Sequence, residues 1–141
     1  SGDGVLRLSK LLPRGCVFPY NFGFIPGTTG EDGDALDILV LGDEPLWPGC
    51  ALSVRAIGAV RAMQTDADGT RARNDRLIGV VENDFNPAEL HDISQLHPAV
   101  VEQIEDFFIH YNQALGRRFE PDERAGAEAA LSLVKSAAVQ T

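Results

Sequence analysis

Apolar and polar residues alternate along the front of the chain and recur at helical spacing along the back. Val5-Leu6-Arg7-Leu8 alternates, Val17-Phe18 precedes a proline, Ala35 to Leu41 alternates around Asp37, and Leu52 to Val60 carries β-branched residues between turn signals. These segments predict a β-barrel or a strongly curved sheet. Thr65 to Asp75 reads as a polar loop and Arg76 to Val81 as the strand after it, which predicts a hairpin with a long tip. The period changes after Asn86-Pro87. Pro98 opens a helix whose apolar positions Val101, Ile104, Phe107, Phe108 and Tyr111 share one face, ending near Gly116; a second helix is predicted over about Asp122 to Ala138. No repeat, low-complexity linker or composition break divides the chain, so a single domain over 1–141 is expected.

Charge narrows the partners. A formal net charge of -9 argues against nucleic acid, because phosphate-backbone binding needs a basic face. A divalent cation can still bring a phosphate to an acidic surface. No apolar run approaches the roughly 20 residues that span a bilayer, and the first residues show no signal pattern, so no membrane partner and a cytoplasmic location are expected. Cys16 and Cys50 have neither CxxC spacing nor histidines at ligand spacing, and read as buried free thiols.

The densest chemistry is Asp32, Asp34 and Asp37, three carboxylates between a glycine-rich turn and a strand. Carboxylates so close repel one another unless a cation is shared between them. Gly33 lets the loop turn so that hard oxygen ligands converge from loop and strand start. The bland alternative is a solvated acidic turn. A calcium loop is excluded, since Leu36 and a strand follow where a further ligand, a glycine and a helix would be needed.

The surroundings of this cluster carry a resemblance. Phe18-Pro19-Tyr20-Asn21-Phe22-Gly23-Phe24-Ile25-Pro26-Gly27-Thr28 leads into Glu31-Asp32-Gly33-Asp34-Ala35-Leu36-Asp37-Ile38-Leu39-Val40-Leu41. Pro45-Leu46-Trp47-Pro48-Gly49, Arg55-Ala56-Ile57-Gly58, Asp92-Ile93 with Leu96, and Phe107 to Tyr111 follow in order. With these motifs the chain resembles the family I soluble inorganic pyrophosphatases. The resemblance implies an α+β fold, mainly β: a distorted OB-like five-stranded barrel with two C-terminal helices packed outside. It also implies Mg²⁺-dependent hydrolysis of pyrophosphate to two phosphates, with Mn²⁺ or another divalent metal as a substitute. Asp32 and Asp37 become metal ligands. Asp34 becomes the base that holds the attacking water with the metals. Lys10, Arg76 and Tyr111 become phosphate contacts. Bacterial relatives assemble as hexamers, so a homo-oligomer is expected, with His110 near the subunit contact.

Several positions depart from that family's usual pattern. Phe18 and Phe22 stand for tyrosines, so Phe22 keeps a substrate-side position without its hydroxyl. Lys10 stands for an arginine and Arg76 for a lysine, which moves the guanidinium fork from one position to the other. Asn74 stands for a metal-binding aspartate, with Asp75 beside it. The other loop aspartate corresponds to Gln64, or with an earlier gap to Asp66 or Asp68. The lysine expected after Tyr111 is Asn112. Ser1-Gly2-Asp3-Gly4 aligns just after the family's first strand, so an N-terminal strand is expected to be missing. Three readings follow: a pyrophosphatase, a hydrolase of another phosphoanhydride such as a nucleotide, and a catalytically silent homologue that binds metal or phosphate.

Overall fold

The computed structural model describes residues 5–8, 10–11, 21–30, 33–41, 52–82 and 90–138, with the backbone alone for 5–8, 10–11, 21–22 and 52. Strands β1 (Val5–Leu8), β2 (Lys10–Leu11), β3 (Asn21–Phe24), β4 (Asp37–Leu41), β5 (Leu52–Thr65), β6 (Arg71–Arg73), β7 (Arg76–Val81) and β8 (Arg118–Gly126) form one sheet. A 3-10 turn (Ile93–Gln95) precedes helix α1 (Pro98–Ala114), and helix α2 (Ala127–Ala137) follows β8. The sheet runs β1-β5-β7-β4-β3-β2, with β6 and β8 also paired to β5. Among the described strands only β4 and β7 pair in parallel. The mixed sheet with two helices is the expected α+β class. Eight strands are described where five were expected for the barrel, and their pairings form an open path rather than a closed ring.

Three elements depart from the sequence reading. Strand β5 continues from Val60 to Thr65, because burial keeps alternating through Ala62 and Gln64. A small residue and an amide on the inner face hid that period. The expected long loop is therefore a short turn, in which Asp66 N–H bonds Thr70 O at 2.8 Å and β6 pairs back onto β5. The second helix begins at Ala127, five residues later than expected, because 118–126 form β8 along β5. Asp122-Glu123 resembles an acidic first helical turn, yet only Phe119 and Ala125 of this segment are buried, as an edge strand allows. The register slips opposite Pro121, which has no N–H to give the ladder. The predicted Val17-Phe18 strand lies outside the described residues.

Alternation along the strands builds a core on each face. Ile38, Val40, Val54 and Leu77 pack with Ala130 and Val134 of α2. Leu39, Ile57, Ile78 and Val80 pack with Val101, Ile104 and Phe108 of α1. Gly58 lies where β5 pairs with β7 and with the end of β8 at once, and an added Cβ would stand 2.7 Å from both Ala125 O and Ile93 Cβ. The site at 58 is closed to any larger residue.

Asp92 ties the back of the fold together. Its Oδ2 accepts Ser94 N–H at 2.9 Å and its Oδ1 accepts Ala127 N–H at 2.7 Å, while Gln95 Oε1 receives the N–H of Asp92 itself. One carboxylate thus caps the 3-10 turn and the start of α2, whose own N-cap, Gly126, has no side chain to offer. The Ala127 and Ser94 N–H groups hold its pKa below the ordinary 3.8. Asp92→Ala is expected to lower stability by about 1–2 kcal/mol in urea unfolding at neutral pH. A depressed folded pKa stabilises above the unfolded value and is lost as pH falls through the folded one. The gap between variant and wild type is therefore expected to hold at pH 5–7 and to close below about pH 4.

Candidate active site

One rung of the sheet runs through the site. Backbone pairing sets Lys10 opposite Phe24, Phe24 opposite Asp37, and Asp37 opposite Arg76, across β2, β3, β4 and β7. Asp37 and Arg76 are the first residues of two parallel strands, so register alone brings them together. Arg76 Nη1 donates to Asp37 Oδ2. Arg76 is only 5% exposed, and its guanidinium lies 4.9 Å from the Phe108 ring centre and 5.5 Å from that of Phe119. A guanidinium tolerates this because it can pack against aromatic rings while its two Nη groups keep hydrogen bonds.

Phe24, Asp37 and Arg76 line a cleft of about 380 Å³. Asp34 is exposed at one edge, after Gly33 at φ 88°, in a turn closed by Gly30 N–H donating to Asp34 O at 2.7 Å. Only glycine adopts that conformation without strain. The opposite wall is built of amides. Asn74 Nδ2 donates to Gln64 Oε1 at 2.8 Å, and Arg76 Nη2 reaches the same oxygen at 3.4 Å. Gln64 Nε2 donates to Asp66 Oδ1 at 3.0 Å. Tyr111 comes in from α1, its ring stacked on Phe107 at 5.9 Å.

The expected site residues divide accordingly. Asp34, Asp37, Asn74, Arg76 and Tyr111 line one cleft, and of the three loop alternatives Gln64 lines it with them. Asp66 and Asp68 line a neighbouring hollow beside Asp34. Asp68 caps the hairpin turn by accepting Thr70 N–H at 2.9 Å, which holds its pKa low. Asp75 faces a different cavity and is committed to structure: its Oδ1 accepts Ala62 N–H at 3.0 Å, and Arg61 and Arg73 flank it. Asp32 and the side chains of Lys10 and Phe22 lie outside the described residues. Arg117, which the sequence reading passed over, also lines the cleft. Its signal was the helix stop at Gly116 followed by two arginines.

Whether a divalent metal suits this cleft depends on its donors. Mg²⁺ takes hard oxygens, carboxylates above all. Asp34 and Asp37 supply them at one edge, with Asp32 adjacent in sequence, and this edge fits a cation. The amide wall does not, since Gln64 Oε1 already accepts from Asn74 and Arg76. Among the described residues no three His, Cys, Asp or Glu side chains form a metal cage. No helix among them is long and apolar enough to cross a membrane.

The family model for inorganic pyrophosphatase matches residues 1–141. The chain is 36% identical over 138 residues to the inorganic pyrophosphatase of Nanoarchaeum equitans, covering 96% of this chain and 83% of that protein. It is 36% identical over 132 residues to soluble inorganic pyrophosphatase 2 of Chlamydomonas reinhardtii, covering 94% of this chain and 66% of the relative. It spans 59% of the soluble inorganic pyrophosphatase of Oryza sativa subsp. indica, so it corresponds to part of these longer proteins. Among solved structures, the inorganic pyrophosphatase of Neisseria gonorrhoeae superposes with TM-score 0.76 at 27% identity, covering 97% of this chain and 91% of that one. That of Thermus thermophilus gives 0.74 at 27% identity, covering 95% and 89%.

Breaking the central ion pair leaves a part-buried carboxylate without its guanidinium. Arg76→Ala is expected to cost about 2–4 kcal/mol in urea unfolding, somewhat below a fully buried pair because Asp37 is 26% exposed. Arg76→Lys is expected to recover part of this, since an ammonium keeps the charge and loses the fork.

Proposed function

We propose, since the chain belongs to the inorganic pyrophosphatase family, that this cleft hydrolyses inorganic pyrophosphate to two phosphates with a divalent cation, Mg²⁺ first and Mn²⁺ in its place. The observation that carries the reading is the pairing of an exposed Asp34 with an Asp37 clamped by Arg76 in one cleft. In this reading Asp32, Asp34 and Asp37 hold the cation. When bound, the cation offsets the diphosphate charge and makes a nearby water more acidic.

The chain's own residues divide the remaining work. Asp34 orients the attacking water and takes its proton, a role that suits a carboxylate at the open edge of the cleft. Arg76 holds Asp37 in place. Tyr111 gives its hydroxyl to a phosphate oxygen, and Lys10, at the outer position of the rung, adds a cation. The reading carries with it one domain over 1–141, a cytoplasmic location and a homo-oligomer, hexameric as in bacterial relatives. His110 is exposed on α1, where such a contact would form. A second reading, a homologue that binds metal or phosphate without turnover, is favoured by the amides at Gln64 and Asn74.

Phosphate release from pyrophosphate with Mg²⁺ separates the two. Wild type is expected to turn over and to stop when EDTA removes the metal. Asp34→Asn is expected to lose about 10²-fold or more in kcat with its fold unchanged. Background release from both proteins would remove the enzyme reading, and calorimetric binding of Mn²⁺ or phosphate would then identify the silent homologue.

A further inference from the structure

We infer that Arg117 is the cation that grips the outer phosphate of the substrate in this cleft, an inference that rests on the phosphoanhydride reading above. Eight arginine side chains are described. Arg55 pairs with Glu82, Arg61 with Asp75 and Glu123, Arg73 with Asp122, Arg76 with Asp37, and Arg124 with Glu105. Arg71, Arg117 and Arg118 make no ion pair among the described residues, and of these only Arg117 lines the cleft. Arg76, the other guanidinium there, is 5% exposed and spends its edge on Asp37 and Gln64.

Local structure explains why the cation comes from 117. The residue after Tyr111 is Asn112, fully buried, whose Nδ2 donates to Phe108 O at 2.8 Å. Position 112 therefore faces the core and has no reach into the cleft. The chain then stops its helix at Gly116, φ 75°, and Arg117 N–H folds back to Asn112 O at 2.8 Å. This reversal sets Arg117 at a junction: it lines the 380 Å³ cleft, the 460 Å³ hollow beside Asp34, and a 700 Å³ hollow under the hairpin. An exposed guanidinium at the mouth can present two parallel N–H bonds to a phosphate, the geometry it suits best. It also balances the cleft, two carboxylates against two guanidinium groups, without a cation at the amide wall.

The test uses the full chain with Mg²⁺ and methylenediphosphonate, a non-hydrolysable diphosphonate, in calorimetry alongside steady-state hydrolysis. Arg117→Ala is expected to weaken diphosphonate binding about 10-fold or more and to raise KM more than it lowers kcat. Arg117→Lys is expected to recover part of the affinity. Arg118→Ala, one residue along and outside the cleft, is expected to match wild type in both measurements and serves as control. Unchanged binding in Arg117→Ala, with hydrolysis intact, overturns the inference and leaves the pyrophosphatase reading standing. Equal weakening in Arg118→Ala overturns it too, because the effect would then belong to general positive charge. A wild type that neither binds the diphosphonate nor hydrolyses pyrophosphate overturns both.

Discussion

Everything in the cleft depends on where two strands begin. Strands β4 and β7 pair in parallel with Asp37 opposite Arg76, so a carboxylate and a guanidinium meet at the same end of the sheet. Burying a guanidinium is costly unless hydrogen bonds and packing offset the loss of water. Phe108 and Phe119 pack together on one side of it, and Asp37 and Gln64 take Nη1 and Nη2. That arrangement in turn fixes the core: Phe108 belongs to α1, Phe119 to β8, and Gln64 to the far end of β5. A slip of one residue between β4 and β7 would part the pair and turn the side chains of one strand to the opposite face relative to the other.

The cleft also resolves a tension in the composition. On the proposed function, a chain of net charge -9 must accept a dense anion. It does so by keeping the cleft itself near neutrality: its described carboxylates are matched by guanidinium groups, and the wall that could have added negative charge carries Gln64 and Asn74 instead. Acidic residues nearby are turned to other tasks, Asp75 to the strand and Asp68 to the hairpin turn. The amides on that wall and an arginine at the mouth that makes no ion pair among the described residues are thus two sides of one electrostatic balance.

Much of this was legible in the chain, unevenly. Strand β7 and helix α1 appeared at their true starts, because each presents a strong apolar period and a clear boundary. That Asp34 and Asp37 come together in one cleft was legible because glycine, spacing and strand onset coincide. Strand β8 was not, since an edge strand with two buried residues and a run of charges has the local look of a helix start. The choice among Gln64, Asp66 and Asp68 rested on where β5 ended, and Ala62 and Gln64 on the inner face concealed that its period continues. Arg117 escaped notice because its position follows from how a helix ends, which spacing between acidic motifs does not encode.

Asp92 has a wider reach than its size suggests. Ile93, in the turn it caps, packs against the core under α1, while Ala127, whose N–H it accepts, opens the helix that covers the other core. A single carboxylate therefore spans the two faces of the sheet. Neither layer can open locally without disturbing that shared anchor, so the two cores form one cooperative unit, and the cleft inherits its rigidity from both.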